Sequence, residues 1–345
     1  MAEIREYDLE ALEDNRKKSN KRLKKSLIIF GCIIVGIIVL GLAWSSIKDT
    51  IWGKDDEIAA DGPYIATIYV EGTIASGQTG TFGIATGYQH QWTLDKIDEL
   101  IADADNKGLI VFIDSPGGGV YESDELYLKL KEYKNKTKRP VYAVMGSMAA
   151  SGGYYISTAA DKIIANRNTW TGSIGVTIGT LYDISGLLEK YGVKTETITA
   201  GRNKAMGSSV EPMTEEQKAI FQSLVNEAYE QFTGIVSEER GIKLDDVKKL
   251  ADGRVYTAKQ AFQLGLVDKI GTKDDAVSDM RKTYDLQDSD LIDVVYEDNS
   301  FLGTLLSEAH IPDIGGGDVS AILKVVEGND EFPISYECEL LKKKY

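Results

Sequence analysis

The longest feature in the hydropathy pattern is an uncharged run at residues 26–47, dominated by Ile, Leu, Val and Gly. About twenty apolar residues suffice for a helix to cross the hydrocarbon core of a bilayer. Beyond that run the apolar stretches are short and separated by polar loops. Residues 64–74 (YIATIYVEGTI) mix β-branched, aromatic and small side chains and predict a strand. Leu94, Ile97, Leu100 and Ile101 recur at helical spacing. Residues 109–113 form a continuous apolar run, the pattern of a strand covered on both faces. An amphipathic helix follows over 121–133, a buried strand over 141–144, a helix opening at Tyr154 and a strand over 163–165. The pattern then predicts a helix over 181–191 and a strand over 194–199. A long helix over 214–240 opens with the capping sequence Thr214-Glu215-Glu216-Gln217. Helices at 244–251 and 274–284 flank a helix-and-turn segment at 255–268, and a last strand is predicted at 291–296. Strands alternating with helices specify an α/β domain with a mostly parallel sheet.

In such sheets, chemistry gathers in the loops that follow the strands. Four of those loops are rich in Gly, Ser or Lys: 114–119, 146–153, 171–175 and 201–207. The second, Gly146-Ser147-Met148-Ala149-Ala150-Ser151-Gly152-Gly153, places two serines among very small residues between a strand and a helix. A serine at a helix N-terminus sits among unpaired N–H groups that favour developing negative charge on oxygen. It is therefore a seat for a nucleophile. Small residues packing a helix closely on a sheet, with the serines as caps, account for the same stretch equally well.

Composition narrows the chemistry. The net charge of −15 over 345 residues argues against nucleic acid as a partner and fits an ordinary soluble surface. Two cysteines, Cys32 and Cys338, exclude a disulfide framework and a Cys-rich zinc site. Two histidines, His90 and His310, cannot build a multi-histidine metal site. His90 is placed in a polar loop and His310 in a weakly patterned C-terminal region, so a Ser-His-Asp arrangement has poor material to work with. No G-x-S-x-G elbow surrounds these serines, and no phosphate-binding loop or H-E-x-x-H motif is present. No cofactor is called for.

Serine cleavage of an amide needs a nucleophile, a base and N–H donors for the oxyanion. Ser151 suits the first role, and the Gly117-Gly118-Gly119 run offers donors free of side chains. Lysine can be the base where burial disfavours its charged form. Lys204 lies in a suitable loop, although most lysines are simply solvated, and spacing alone does not separate it from Lys162 or Lys194.

The N-terminal 25 residues end in a basic cluster from Arg16 to Lys25, which places that side of the apolar run in the cytoplasm. The run reads as a retained anchor rather than a cleaved signal. It is too long, its charged preface is too long, and Ala43-Trp44-Ser45 is a poor cleavage site. The expected organisation is a cytoplasmic basic segment (1–25), a transmembrane anchor (26–47), a linker (48–62), a peptidase domain (63–296) and a C-terminal extension (297–345). A regulatory, pseudo-substrate role for the extension is an open hypothesis, motivated by Gly315-Gly316-Gly317 ahead of an apolar and then basic terminus.

Four motifs in order carry a family resemblance. They are Ser115-Pro116-Gly117-Gly118-Gly119, Met148-Ala149-Ala150-Ser151-Gly152-Gly153-Tyr154, Thr171-Gly172-Ser173-Ile174-Gly175, and Gly253-Arg254-Val255-Tyr256 through Gly265-Leu266-Val267-Asp268. Over about 64–271 the chain resembles the short, single-domain form of the signal peptide peptidase A family, membrane-anchored serine-lysine proteases of bacteria. The Ser-Pro-Gly-Gly part alone is shared with the Clp protease and crotonase superfamily. The resemblance implies a crotonase-like, Clp protease-like β-α spiral core. It implies Ser151 as nucleophile, Lys204 as general base and Ser173 as the hydrogen-bond support of that lysine. Gly118 N–H and Ser151 N–H would form the oxyanion hole, with nucleophile and base from one catalytic domain. It also implies a homo-oligomeric ring or dome on the extracytoplasmic membrane face, cleaving remnant signal peptides and other apolar or unfolded peptides. Asp114 departs from the Asn more usual before Ser-Pro-Gly-Gly. Two rivals stay open: an acyl-CoA enzyme of the crotonase type, and a catalytically inactive, membrane-anchored scaffold that binds peptides.

Overall fold

The computed structural model describes residues 60–77 and 87–296. The anchor expected at 26–47, the basic segment before it and the C-terminal extension lie outside the described residues. Within them, no helix is long and apolar enough to cross a membrane.

Among the described residues, eight strands form one sheet. They are β1 (Tyr64–Glu71), β2 (Asn106–Ser115), β3 (Val141–Ala150), β4 (Lys162–Ala165), β5 (Trp170–Gly172), β6 (Val255–Thr257), β7 (Lys269–Ile270) and β8 (Asp290–Val294). The order is β6-β5-β3-β2-β1-β8, with β4 pairing both β3 and β7. Every pairing is parallel except β5 with β6. The helices are α1 (His90–Ala102), α2 (Val120–Thr137), α3 (Gly152–Ser157), α4 (Ser185–Lys190), α5 (Glu215–Arg240), α6 (Leu244–Leu250), α7 (Ala258–Gln263) and α8 (Lys273–Tyr284).

Side chains alternate between the two faces of a strand, and here both central faces are covered. Tyr64, Ala66, Ile68 and Val70 of β1 join Leu109, Val111, Ile113, Val141, Ala143 and Met145 in the main core, with Leu94 and Ile97 of α1 and Leu126 and Leu130 of α2. The opposite face carries Ile65, Ile110, Tyr142, Val144 and Ile164 against Ala276, Val277 and Met280 of α8. That double burial explains why these strands read as continuous apolar runs. The capping sequence at 214 forms the expected reciprocal pair, Thr214 with Gln217, at the start of α5.

Three expectations need correction. The stretch 145–150, read as loop, continues β3, because β5 pairs with Met148, Ala149 and Ala150 beyond an irregularity in the β2–β3 register. No strand forms at 194–199: these residues are exposed, and among the described residues Ile198 has no sheet neighbour. Residues 255–257, read as helix and turn, pair with β5 as a strand. A three-residue strand is too short for periodicity to reveal.

Candidate active site

β3 delivers Ser151 to the start of α3. The turn is sharp: Ser151 has φ 54 and ψ −116, a conformation disfavoured for a residue with a Cβ. Its N–H donates to the Gly172 carbonyl at 2.7 Å, and its own carbonyl accepts from Tyr155 N–H at 2.8 Å. Ser151 is 2% exposed. Strain of this kind persists only where the surroundings over-determine it. Here β5 on one side and α3 on the other hold it.

The glycine loop approaches the same turn from β2. Ile74 N–H donates to the Gly117 carbonyl at 2.8 Å, and Gly119 N–H donates to the Ile74 carbonyl at 2.8 Å. A trans peptide points its N–H opposite its carbonyl, so the Gly118 N–H is aimed away from Ile74. A Cβ placed on Gly152 would lie 3.1 Å from Gly118 N and 2.5 Å from Ser123 Oγ. The Gly118 amide therefore faces the Ser151–Gly152 turn, and a side chain at 152 would crowd both Ser123 and the glycine loop.

The Ser151 N–H was expected to be the second oxyanion donor. It is already spent on Gly172. Gly152 opens α3, and the first N–H groups of a helix have no turn before them to bond. Gly118 and Gly152 thus lie beside Ser151.

Ser173 is buried beside this corner with φ 50, and its N–H donates to the Arg254 carbonyl at 2.8 Å. Gly172 must be glycine: its φ is +81, and a Cβ there would lie 2.5 Å from the Tyr256 ring. The Gly253–Tyr256 motif thus braces the loop that anchors Ser151. Asp114 braces the other side. Its carboxylate accepts from Ser147 Oγ at 2.7 Å and Met148 N–H at 2.9 Å, across the register irregularity that precedes Ser151.

Lys204 stands apart. It is exposed on a turn in which its N–H donates to the Gly201 carbonyl at 3.1 Å. Among the described residues its ammonium makes no hydrogen bond to Ser151 or Ser173. The structure brings Ser151, Gly118 and Ser173 to one corner, while the Lys204 side chain is exposed and, among the described residues, bonded to neither serine. The other two lysines fare no better. Lys162 is bound to Asp279 at 2.6 Å and lies over the Tyr142 ring, and Lys194 is exposed. His90 is not in a loop. It opens α1 and is buried, with Nε2 2.8 Å from Glu125 Oε2 and Nδ1 3.1 Å from Tyr88 Oη. His310 lies outside the described residues.

Sequence reasoning missed the Ile74 clamp on Gly118, the Gly172 carbonyl that holds Ser151, and Ser123 beside Gly152. Gly152 and Gly172 lie in small-residue motifs that are visible in the sequence, though residue identity does not mark their backbone roles. Ile74 was hidden because its role belongs to its backbone.

Comparisons with known proteins supply a family for this corner. The model of Peptidase family S49 matches residues 133–287. "Putative signal peptide peptidase SppA" of Enterococcus faecium is 39% identical over 251 residues, 72% of each chain. "Putative protease MJ0651" of Methanocaldococcus jannaschii is 31% identical over 81% of this chain and 89% of its own. "Protease 4" of Haemophilus influenzae is 36% identical over 71% of this chain and 40% of its own. Among solved structures, a mutant of the 1510-N membrane-bound stomatin-specific protease aligns over 69% of this chain and 100% of its own, at 14% identity and a TM-score of 0.44, too distant to carry an argument. On the strength of relatives matched across most of both chains, this protein belongs to peptidase family S49, the family of signal peptide peptidase A.

Proposed function

We propose that this protein is a membrane-anchored serine endopeptidase that cleaves remnant signal peptides and other apolar or unfolded peptides at the extracytoplasmic face. The observation that carries this reading is Ser151 on its strained turn, with the Gly118 amide facing it; the Gly152 N–H at the start of α3 is taken as the second donor in place of the Ser151 N–H. Ser151 Oγ attacks the scissile carbonyl while its proton passes to the base. The carbonyl oxygen takes up negative charge between the two amides. The C–N bond breaks as the base returns the proton to the leaving amine. Water, deprotonated by the same base, then releases the acyl group and restores Ser151.

Lys204 is the proposed base, supported by Ser173. General-base work by lysine requires removing its ammonium from water. Lys204 is exposed in the single chain, so the burial must come from outside it. The segment that carries Lys204 suits this. Leu181, Tyr182, Leu187, Tyr191, Val193 and Ile198 are all exposed, and α4 has no buried residue. We take the segment to reach a neighbouring copy and complete that copy's site, so that nucleophile and base come from two chains of a homo-oligomer, and not from one catalytic domain as the resemblance implied. The anchor at 26–47 holds the assembly on the membrane.

The exposure of Lys204, which among the described residues makes no bond to Ser151, also supports a second reading, a peptide-binding scaffold without catalysis. Cleavage of a fluorogenic apolar peptide by the full-length protein in detergent separates the two. Loss of cleavage in both Ser151→Ala and Lys204→Ala supports the peptidase. An intact oligomer without cleavage in the wild type supports the scaffold.

A further inference from the structure

The buried hydroxyl of Ser123 has no assigned task. Ser123 lies in the first turn of α2, fully buried, between the glycine loop and the nucleophile turn. Among the described residues its Oγ has no hydrogen-bond partner. Several other helix hydroxyls in this chain bond back to the preceding turn. Ser157 Oγ donates to the Gly153 carbonyl at 2.7 Å, Thr137 Oγ1 to the Tyr133 carbonyl at 2.7 Å and Thr233 Oγ1 to the Tyr229 carbonyl at 2.9 Å. The equivalent acceptor for Ser123, the Gly119 carbonyl, takes only the Ser123 N–H, at 3.1 Å. The hydroxyl is turned instead toward Gly152.

Leaving a buried hydroxyl unpaired is unfavourable, and such groups call for an explanation. Its surroundings supply one. The point where a Gly152 Cβ would stand is 2.5 Å from Ser123 Oγ and 3.1 Å from Gly118 N. The hydroxyl, the Gly118 amide and the Gly152 residue therefore border one small space, the one that the peptidase reading gives to the oxyanion. Hydrogen bonds that serve a transition state are often long or unformed in the resting enzyme and tighten around the reacting group.

We propose that Ser123 is a third donor of the oxyanion site, its O–H turning to the carbonyl oxygen as that oxygen gains charge. The proposal rests on the peptidase reading above. It adds no proton transfer: the O–H donates and keeps its hydrogen throughout. Both neighbouring elements are held, Gly118 by Ile74 and Ser151 by Gly172, so the rotation of one hydroxyl is the smallest adjustment available.

The test compares wild type, Ser123→Ala, Ser123→Cys and Ser151→Ala as full-length protein in detergent, with a fluorogenic apolar peptide and a matching peptide aldehyde. The aldehyde forms a tetrahedral adduct with the serine and so reports on the oxyanion site. Removing one established oxyanion donor slows an enzyme by about 10²–10³; for a donor recruited late, the expected loss in Ser123→Ala is about tenfold in kcat. KM should stay unchanged, aldehyde affinity should fall by the same factor, and the melting temperature should not fall, because alanine leaves no unpaired group. Ser123→Cys, a weak donor, should fall between the two. Unchanged kcat and aldehyde affinity in Ser123→Ala would overturn the proposal. So would a loss that tracks a lowered melting temperature, which marks a packing role. Wild type that does not cleave, or Ser151→Ala that does, would remove the peptidase reading and this proposal with it. Full wild-type activity with an indifferent Ser123→Ala removes the proposal alone.

Discussion

Ile74 and Gly118 form an isolated parallel bridge, and a Cβ added to Gly118 would stand 1.9 Å from the Ile74 carbonyl oxygen. The contact is backbone on backbone, so no side-chain rotation relieves it. The bridge sets the direction of the Gly118 amide, which links the extension of β1 to the site. Gly118→Ala is therefore expected to push the loop off Ile74 and withdraw the donor. The predicted result is a fall in kcat of at least about 100-fold, with a lowered melting temperature, measured on the same preparation.

The conformation of Ser151 predicts an unusual order among inactive variants. Ser151→Ala keeps a Cβ at φ 54 and so keeps the strain. Ser151→Gly releases it, because glycine adopts positive φ freely. Denaturant titration should find the glycine variant more stable than the alanine variant by about 1 kcal/mol. Neither should cleave peptide.

Much of this architecture is legible in the residues themselves. Double burial of β1, β2 and β3 produces their apolar runs, and the Thr214–Gln217 pair marks where α5 begins. The serines and glycines of three motifs converge on one corner. What escapes the sequence falls into two kinds. Short strands such as β6 and β7 exist only through their partners and carry no period of their own. Backbone roles, such as the Ile74 clamp and the Gly172 acceptor, leave no mark on residue identity. Lys204 is a third case. Its loop is visible in the sequence, but a loop motif does not say what surrounds the side chain.

Asp114 offers a test of that backbone scaffolding. Its carboxylate accepts from Ser147 Oγ and Met148 N–H. Asparagine retains one carbonyl acceptor for both bonds, so Asp114→Asn should keep near-normal activity and stability. Asp114→Ala removes the acceptor and should lose about 1–2 kcal/mol, together with a measurable fall in kcat as the turn before Ser151 loosens.

Stability should depend on pH through Asp279. The Lys162 ammonium, 2.6 Å away, holds its carboxyl below the ordinary range against the opposing effect of burial, and Tyr142 Oη donates to it as well at 2.8 Å. A carboxyl depressed by folding contributes stability above its unfolded value, about 3.9, and loses it as pH falls through the folded value. Asp279→Asn should thus be less stable than wild type at pH 7, by about 1 kcal/mol for a partly exposed pair. The difference should shrink on acidification below about pH 4. Melting curves across pH for both proteins check this, and a difference that grows with acid would contradict it.

The most direct test of the proposed site mixes two inactive proteins. Full-length Ser151→Ala and Lys204→Ala are purified separately, then dissociated and reassembled together before peptide cleavage is measured. Each is expected to be inactive alone. If Ser151 of one chain works with Lys204 of its neighbour, mixed oligomers contain some sites with both groups intact, and activity should return to a fraction of the wild-type rate. Reassembled mixtures that stay inactive would contradict the shared site, and cleavage by Lys204→Ala alone would show that the base lies elsewhere.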